Sequence, residues 1–286
     1  MLVAFLGKSF ATLSKISSFL LSIFSTNFAN AASLLFNGKI QGTYFKKILP
    51  NYGVFDENRY FEPGKKEFIF VHKGLKIGLL ICEDAWKASP SQLLKKKSVD
   101  AIIVINASPY EIEKYETRVK IISKLAKETK STVIYVNAIG GQDELIFDGG
   151  SFVVSKHAKL IHQLSFFKEE TAIIDVSSKI NIKNNFDESP YNKESHLYEA
   201  LKLALRDYVV KNNFKSLFIG LSGGIDSALV LALANDVFDK KNITAVMMPS
   251  EFTSKISIIE SRKIIKNTGV NYKEINIQPI FKLFRK

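Results

Sequence analysis

Apolar residues in this chain gather into short runs. Those at 75–81, 101–105, 132–136 and 243–248 are too brief for helices and are read as strands, and 217–221, wholly apolar, as a strand buried on both faces. Between them the spacing turns helical. Val119, Ile122 and Leu125 predict a helix over 111–128, and Leu197, Leu201, Leu205 and Tyr208 line one stripe of another within 190–212. Helices are also expected over 226–238 and 257–266, and a last strand over 272–277. The run 68–72 pairs with 75–81 around Gly74, and 30–40 reads as one strand passing through the Asn37-Gly38 turn into a second. Strands over 147–154, 160–167 and 171–176 suggest an antiparallel edge. Strand and helix alternating in this way predict an α/β fold with a parallel sheet.

Composition adds bounds. At 286 residues, with 46% hydrophobic and 12% aromatic content, the chain is globular and long enough for about two domains. The net charge of +12 comes mostly from scattered lysines, without the clustered Lys/Arg and interleaved aromatics of a nucleic-acid footprint. It reads as a solvated surface. A single cysteine, Cys82, excludes an internal disulfide and a cysteine-only zinc site and fits a reducing, cytoplasmic compartment. Lys8, Lys15, the apolar 16–24 and Ala29-Asn30-Ala31 carry some features of a secretory signal. The apolar part is short and broken by serines, and 30–40 already reads as strand and turn. No run reaches the length of a membrane span.

Candidate chemistry sits where strands end. After the strand 217–221 comes Ser222-Gly223-Gly224, and then a helix opening near Asp226. Such a turn presents backbone N–H groups and the positive end of a helix dipole to an anion. The lysine of a Walker loop and the three glycines of a dinucleotide fingerprint are both missing. Hydroxyls at Ser222 and Ser227, with the carboxylate of Asp226 placed to hold magnesium, resemble the pyrophosphate loop of ATP-dependent adenylating enzymes. Cys82 closes the strand 75–81 and precedes Glu83 and Asp84. That position suits an exposed nucleophile in an α/β fold, and equally a buried structural thiol. The stretch 35–64, dense in turn residues and aromatics, is of a kind that carries function.

Four segments then carry a resemblance: KKILPNYGVFDENRYFEPG, ICEDAW, INASPYEIEKYETR and NAIGGQDELIFDGGSF. In order and type they resemble the nitrilase-superfamily amidase domain of glutamine-dependent NAD synthetases. Residues 194–281 are similar to the start of the synthetase domain of that family. The resemblance implies an incomplete nitrilase-like αββα sandwich over 1–178, a linker over 179–193, and over 194–286 the beginning of a Rossmann-like, doubly wound ATP pyrophosphatase domain. It implies Cys82 as nucleophile, Lys46 as catalytic lysine and Glu57 as the glutamate that orients it. Tyr52, Ser108 and Lys114 match glutamine contacts, and Glu83 and Trp86 line the pocket. Gly220, Leu221, Ser222, Gly223, Gly224, Ile225, Asp226 and Ser227 hold ATP, with Asp226 on Mg2+.

The activity so implied is ATP-dependent amidation of deamido-NAD with ammonia drawn from L-glutamine, in an assembly that is usually homo-oligomeric. The family's general base is a glutamate on an earlier strand, in a segment resembling F-P-E-L-x-x-x-G-Y, and residues 1–40 contain none. The chain is therefore expected to be a fragment that hydrolyses glutamine poorly or not at all. Two other readings stay open: a ligase acting on a different carboxylate, and a catalytically dead binding module.

Overall fold

The computed structural model describes residues 28–176 and 192–285. The apolar stretch 16–24 and nearly all of the expected linker lie outside them. The described residues form two compact units, one from residues 28–139 and 147–176 and the other from 140–146 and 192–285.

In the first unit, β1 (Ala31–Phe36) and β2 (Lys39–Phe45) make an antiparallel ribbon. Asn37 and Gly38 both take positive φ, 49° and 72°, as the expected two-residue turn requires. A single helical turn, α1 (Glu57–Tyr60), leads to a six-stranded sheet. Its strands are β3 (Ile69–His72), β4 (Leu75–Ile81), β5 (Ala101–Asn106), β6 (Thr132–Asn137), β9 (Phe152–Val154) and β10 (Leu160–Gln163), in the order β10-β9-β6-β5-β4-β3. The central strands β4, β5 and β6 are parallel, and β3, β9 and β10 pair antiparallel at the two edges. Helices α2 (Ala88–Lys96) and α3 (Lys114–Thr129) supply Leu94, Ile122, Leu125 and Ala126 to a core shared with Leu80, Ile102, Val104, Val133 and Phe152. Each such side chain, fully buried, contributes ~1.5–3 kcal/mol. Gly78 permits the approach of α2: a Cβ there would stand 2.9 Å from both Leu94 methyls.

The antiparallel edge differs from the expected strands. The run 147–154 is broken into β8 (Leu145–Asp148) and β9, because Gly149 and Gly150 turn the chain at φ 64° and 59° and the Phe166 ring fills the space beside Gly150. The strand expected over 160–167 ends at Gln163, and 171–176 is irregular. There Ile173 is 98% exposed, so pairing would have no burial to support it. Helix α3 begins at Lys114, since Glu113 sits in the left-handed region at φ 69°.

The second unit starts from α4 (Lys193–Lys211), capped by the Asn192 side chain, which accepts from Ser195 N at 2.7 Å. Strands β11 (Leu217–Gly220), β12 (Ile243–Met247) and β13 (Asn271–Glu274) form a parallel sheet in that order. They alternate with α5 (Ile225–Val237) and α6 (Lys255–Thr268), and α7 (Gln278–Phe284) follows. Leu221, Leu231, Ala234, Ile243, Ala245 and Val270 make the core. Gly140 and Gly141 of the segment NAIGGQDELIFDGGSF lie in a short strand, β7 (Ile139–Gln142). Within this unit Gly141 N donates to Asp207 Oδ2 at 2.8 Å, and a Cβ on Gly141 would come within 3.2 Å of Ala204 Cα on α4. Among the described residues no helix is long and apolar enough to cross a membrane.

Candidate active site and phosphate turn

Strand β4 runs apolar and buried to Ile81, and the chain then turns at Cys82, which opens a short 3-10 turn through Ala85. Cys82 has φ 45°, a left-handed conformation that costs a non-glycine residue about 1–3 kcal/mol and that clusters at functional sites. Cys82 and Trp86, both half-buried, pack against the core on either side of this turn. Lys46 directly follows β2 and is 1% exposed. Its backbone is pinned on both sides, N donating to Asn30 O at 2.8 Å and O accepting from Gly64 N at 2.8 Å. Its Nζ meets Glu57 Oε1 at 2.6 Å. A buried ammonium without such a partner would be costly, and this bond fixes its direction.

Burial pushes the Cys82 thiol above its ordinary pKa; the Lys46 ammonium pulls it down, and Glu83 and Glu57 push it further up. Removing that charge in Lys46→Met is expected to leave a still less acidic thiol. At about pH 8, alkylation of the sole cysteine by iodoacetamide should slow about tenfold or more. An unchanged rate would place Lys46 outside the reach of Cys82.

Around this centre stand the expected substrate contacts. Tyr52 Oη donates to Glu83 Oε2 at 2.8 Å, and burial with that carboxylate pushes the phenol up to about 12. Lys114 Nζ is engaged by Glu111, whose charge also acts on Tyr52. Ser108 is buried, held by a network that local patterns did not disclose. Its N donates to Asn137 Oδ1 at 3.0 Å, and Arg118 reaches its Oγ at 3.2 Å and its carbonyl at 2.9 Å. Arg118, from α3, also donates to Pro109 O and to both oxygens of Asp148 at 2.8 Å. The network holds the loop after β5 in one shape. Asp84, another residue not singled out from sequence, ties the Cys82 turn to the Lys46 segment. The only visible signals were an acid within ICEDAW and an arginine within KYETR.

In the second unit β11 leads through Leu221 to Ser222-Gly223-Gly224, and α5 starts at Ile225 without a side-chain cap. Ser222 Oγ lies 3.1 Å from Ser227 Oγ, Ser222 N donates to Ser227 Oγ at 3.2 Å, and Gly224 N donates to Ser222 Oγ at 3.3 Å. Both hydroxyls therefore gather over the first turn of the helix, where Asp226 is exposed. Gly223 lies at φ 82° against the first turn of α6.

Residues 25–181 match the carbon-nitrogen hydrolase family model, and residues 197–286 match that of NAD synthase. The chain belongs to the carbon-nitrogen hydrolase family. Relatives matching across both segments are glutamine-dependent NAD(+) synthetases, among them those of Acinetobacter baylyi, 40% identical over 89% of this chain, and Aquifex aeolicus, 35% identical over 89%. Their matched portions are 47% and 51% of their own lengths, so the chain spans about half of each. A glutamine-dependent NAD+ synthetase from Acinetobacter baumannii, solved in complex with adenosine diphosphate, superposes with a TM-score of 0.81 at 38% identity, covering 90% of this chain and 49% of that one. The nitrilase-like α/β unit of the family, followed by an NAD synthase segment, is thereby established.

Proposed function

We propose that this chain serves the glutamine-dependent synthesis of NAD(+): ATP-driven amidation of deamido-NAD, with ammonia released from L-glutamine. The reading is carried by one observation. The same polypeptide ends one strand at a left-handed Cys82, tied through Asp84 to the segment of the buried Lys46, and ends a parallel strand in a Ser-Gly-Gly turn at an uncapped helix.

In the first unit Cys82 Sγ attacks the glutamine carboxamide carbon. Lys46 Nζ supports the developing oxyanion, and Glu57 keeps Nζ aimed. The proton given up by the thiol goes to the departing nitrogen, so that ammonia leaves and a thioester remains, which water hydrolyses to glutamate. Tyr52, Glu83, Trp86, Ser108 and Lys114 form the wall that holds the substrate, with Tyr52 and Glu83 aligned by their mutual hydrogen bond.

In the second unit the N–H groups opening α5 and the hydroxyls of Ser222 and Ser227 face the phosphates of ATP; the nicotinate carboxylate takes up AMP with release of pyrophosphate, and ammonia then displaces AMP to form the amide. Residues Gly220 to Ser227 make this cradle. Among the described residues no three His, Cys, Asp or Glu side chains are grouped so as to hold a metal ion. A magnesium ion would therefore be held by Asp226 together with phosphate oxygens, where it would balance the phosphate charge. The ADP complex of the A. baumannii relative supports a nucleotide on this family's chain, and a single cysteine supports a reducing, cytoplasmic setting.

Two measurements on the intact chain test the reading. Glutamine should protect Cys82 from alkylation, and ATP with magnesium should bind and be weakened by substitution at the Ser222–Ser227 turn. Alkylation indifferent to saturating glutamine, together with no nucleotide binding, would overturn it.

A further inference from the structure

Asp84 lies two residues beyond Cys82 and is 0% exposed. Its Oδ1 accepts from Lys47 N at 3.0 Å and Ile48 N at 2.8 Å; its Oδ2 accepts from Tyr44 Oη at 2.8 Å and Ile81 N at 3.3 Å. One carboxylate thus binds the backbone just after Lys46, a side chain two residues before Lys46, and the residue just before Cys82. Tyr44 is itself 1% exposed and packs in the sheet's core. A buried carboxylate costs several kcal/mol unless its oxygens are satisfied, and a structural clamp alone would not need to span both segments carrying the reacting groups.

We propose that Asp84, braced by Tyr44, is the positioning residue that sets the Lys46 ammonium against the Cys82 sulfur. The inference rests on the reading of Cys82 and Lys46 as nucleophile and oxyanion partner. Asp84 does not touch substrate; it acts through the loop it holds. Burial pushes its carboxyl up while the four donors pull it down, and the groups that act on Cys82 are Lys46, Glu57, Glu83, Tyr52 and Tyr135.

The pH profile of iodoacetamide alkylation at the sole cysteine, measured on the full chain, tests this through the sign of the effect. Asp84→Asn removes a negative charge, which by electrostatics alone would make the thiol more acidic. Loss of positioning instead weakens the pull of Lys46 and makes it less acidic. The expected result is a profile displaced to higher pH by about one unit, about tenfold slower alkylation near neutrality. Tyr44→Phe, which keeps the charge and removes one donor, should move the same way by about threefold, and it decides the question if Asp84→Asn does not fold. Unmoved profiles, or movement to lower pH, overturn the proposal, even where thermal stability falls. Lys46→Met measured beside them separates the two layers. If it too leaves the profile unmoved, the reading of the site fails; if it slows alkylation while Asp84→Asn and Tyr44→Phe do not, only the positioning role fails.

Discussion

Arg118→Leu is expected to destabilise the protein by about 3–5 kcal/mol, because it leaves Asp148 buried and ionised with its chief partner gone. Arg118 is 1% exposed and Asp148 3%, so water cannot substitute for the guanidinium. The loss extends further than the ion pair. The same fork holds the carbonyls of Ser108 and Pro109, so the loop after β5 loses its inner support. Arg118→Lys should recover little of this, since an ammonium lacks the planar set of donors that reaches Asp148 and two carbonyls together. Urea titration followed by tryptophan fluorescence would read the loss as a lower midpoint at unchanged slope. A loss under about 1 kcal/mol would show that the pair is solvated and the network slack. The expected companion is weaker protection of Cys82 by glutamine.

The second large effect is expected at Gly223. Its φ of 82° is one an alanine enters only at a cost of about 1–2 kcal/mol. A Cβ there would also stand 2.3 Å from Ser257 O and 2.6 Å from Ser257 Cα. Those atoms are backbone in the first turn of α6, held by the Ser254 cap, which accepts from Ser257 N at 3.1 Å. The helix has little room to yield. Gly223→Ala should therefore push the turn off α6 and misdirect the N–H groups at the start of α5, lowering ATP affinity about a hundredfold as measured by calorimetry. Gly224 provides the contrast. It lies at φ −87°, and its Cβ would meet nothing closer than Ser222 Oγ at 3.4 Å, so Gly224→Ala should leave the fold intact and cost far less affinity. Equal effects at the two glycines would show that the turn is not braced by α6.

Much of the site was legible along the chain. The buried run of β4 ending at Cys82 and the Ser-Gly-Gly turn are local arrangements that already suggest chemistry, whereas Lys46 and Glu57 stand out only through the family resemblance of the motif that carries them. The Lys46–Glu57 ion pair joins residues only 11 apart, within one quoted motif. Along the chain Asp84 is only one of two acids after the cysteine, and Arg118 only the last residue of the motif INASPYEIEKYETR. Their importance depends on burial and on partners 36–40 and 30 residues away respectively. No local pattern distinguishes a solvated acid from one that closes four hydrogen bonds in the core. The edge strands erred for the opposite reason. Apolar content over 147–154 suggested one continuous strand, whereas two glycines at positive φ divide it, and their conformation answers to the Phe166 ring packed beside them.

The amino-acid sequence by itself determined the alternation of strand and helix and the Asn37-Gly38 turn, and it marked the two candidate sites, because these depend on side-chain period, on glycine's tolerance of left-handed backbone and on residue type at strand ends. Only the tertiary structure decided which charges are buried together, that Cys82 stands in a left-handed turn tied through Asp84 to the Lys46 segment, and that Gly223 is wedged against α6. Burial, pKa and close approach are properties of the space between segments, and that space exists only once the chain has folded.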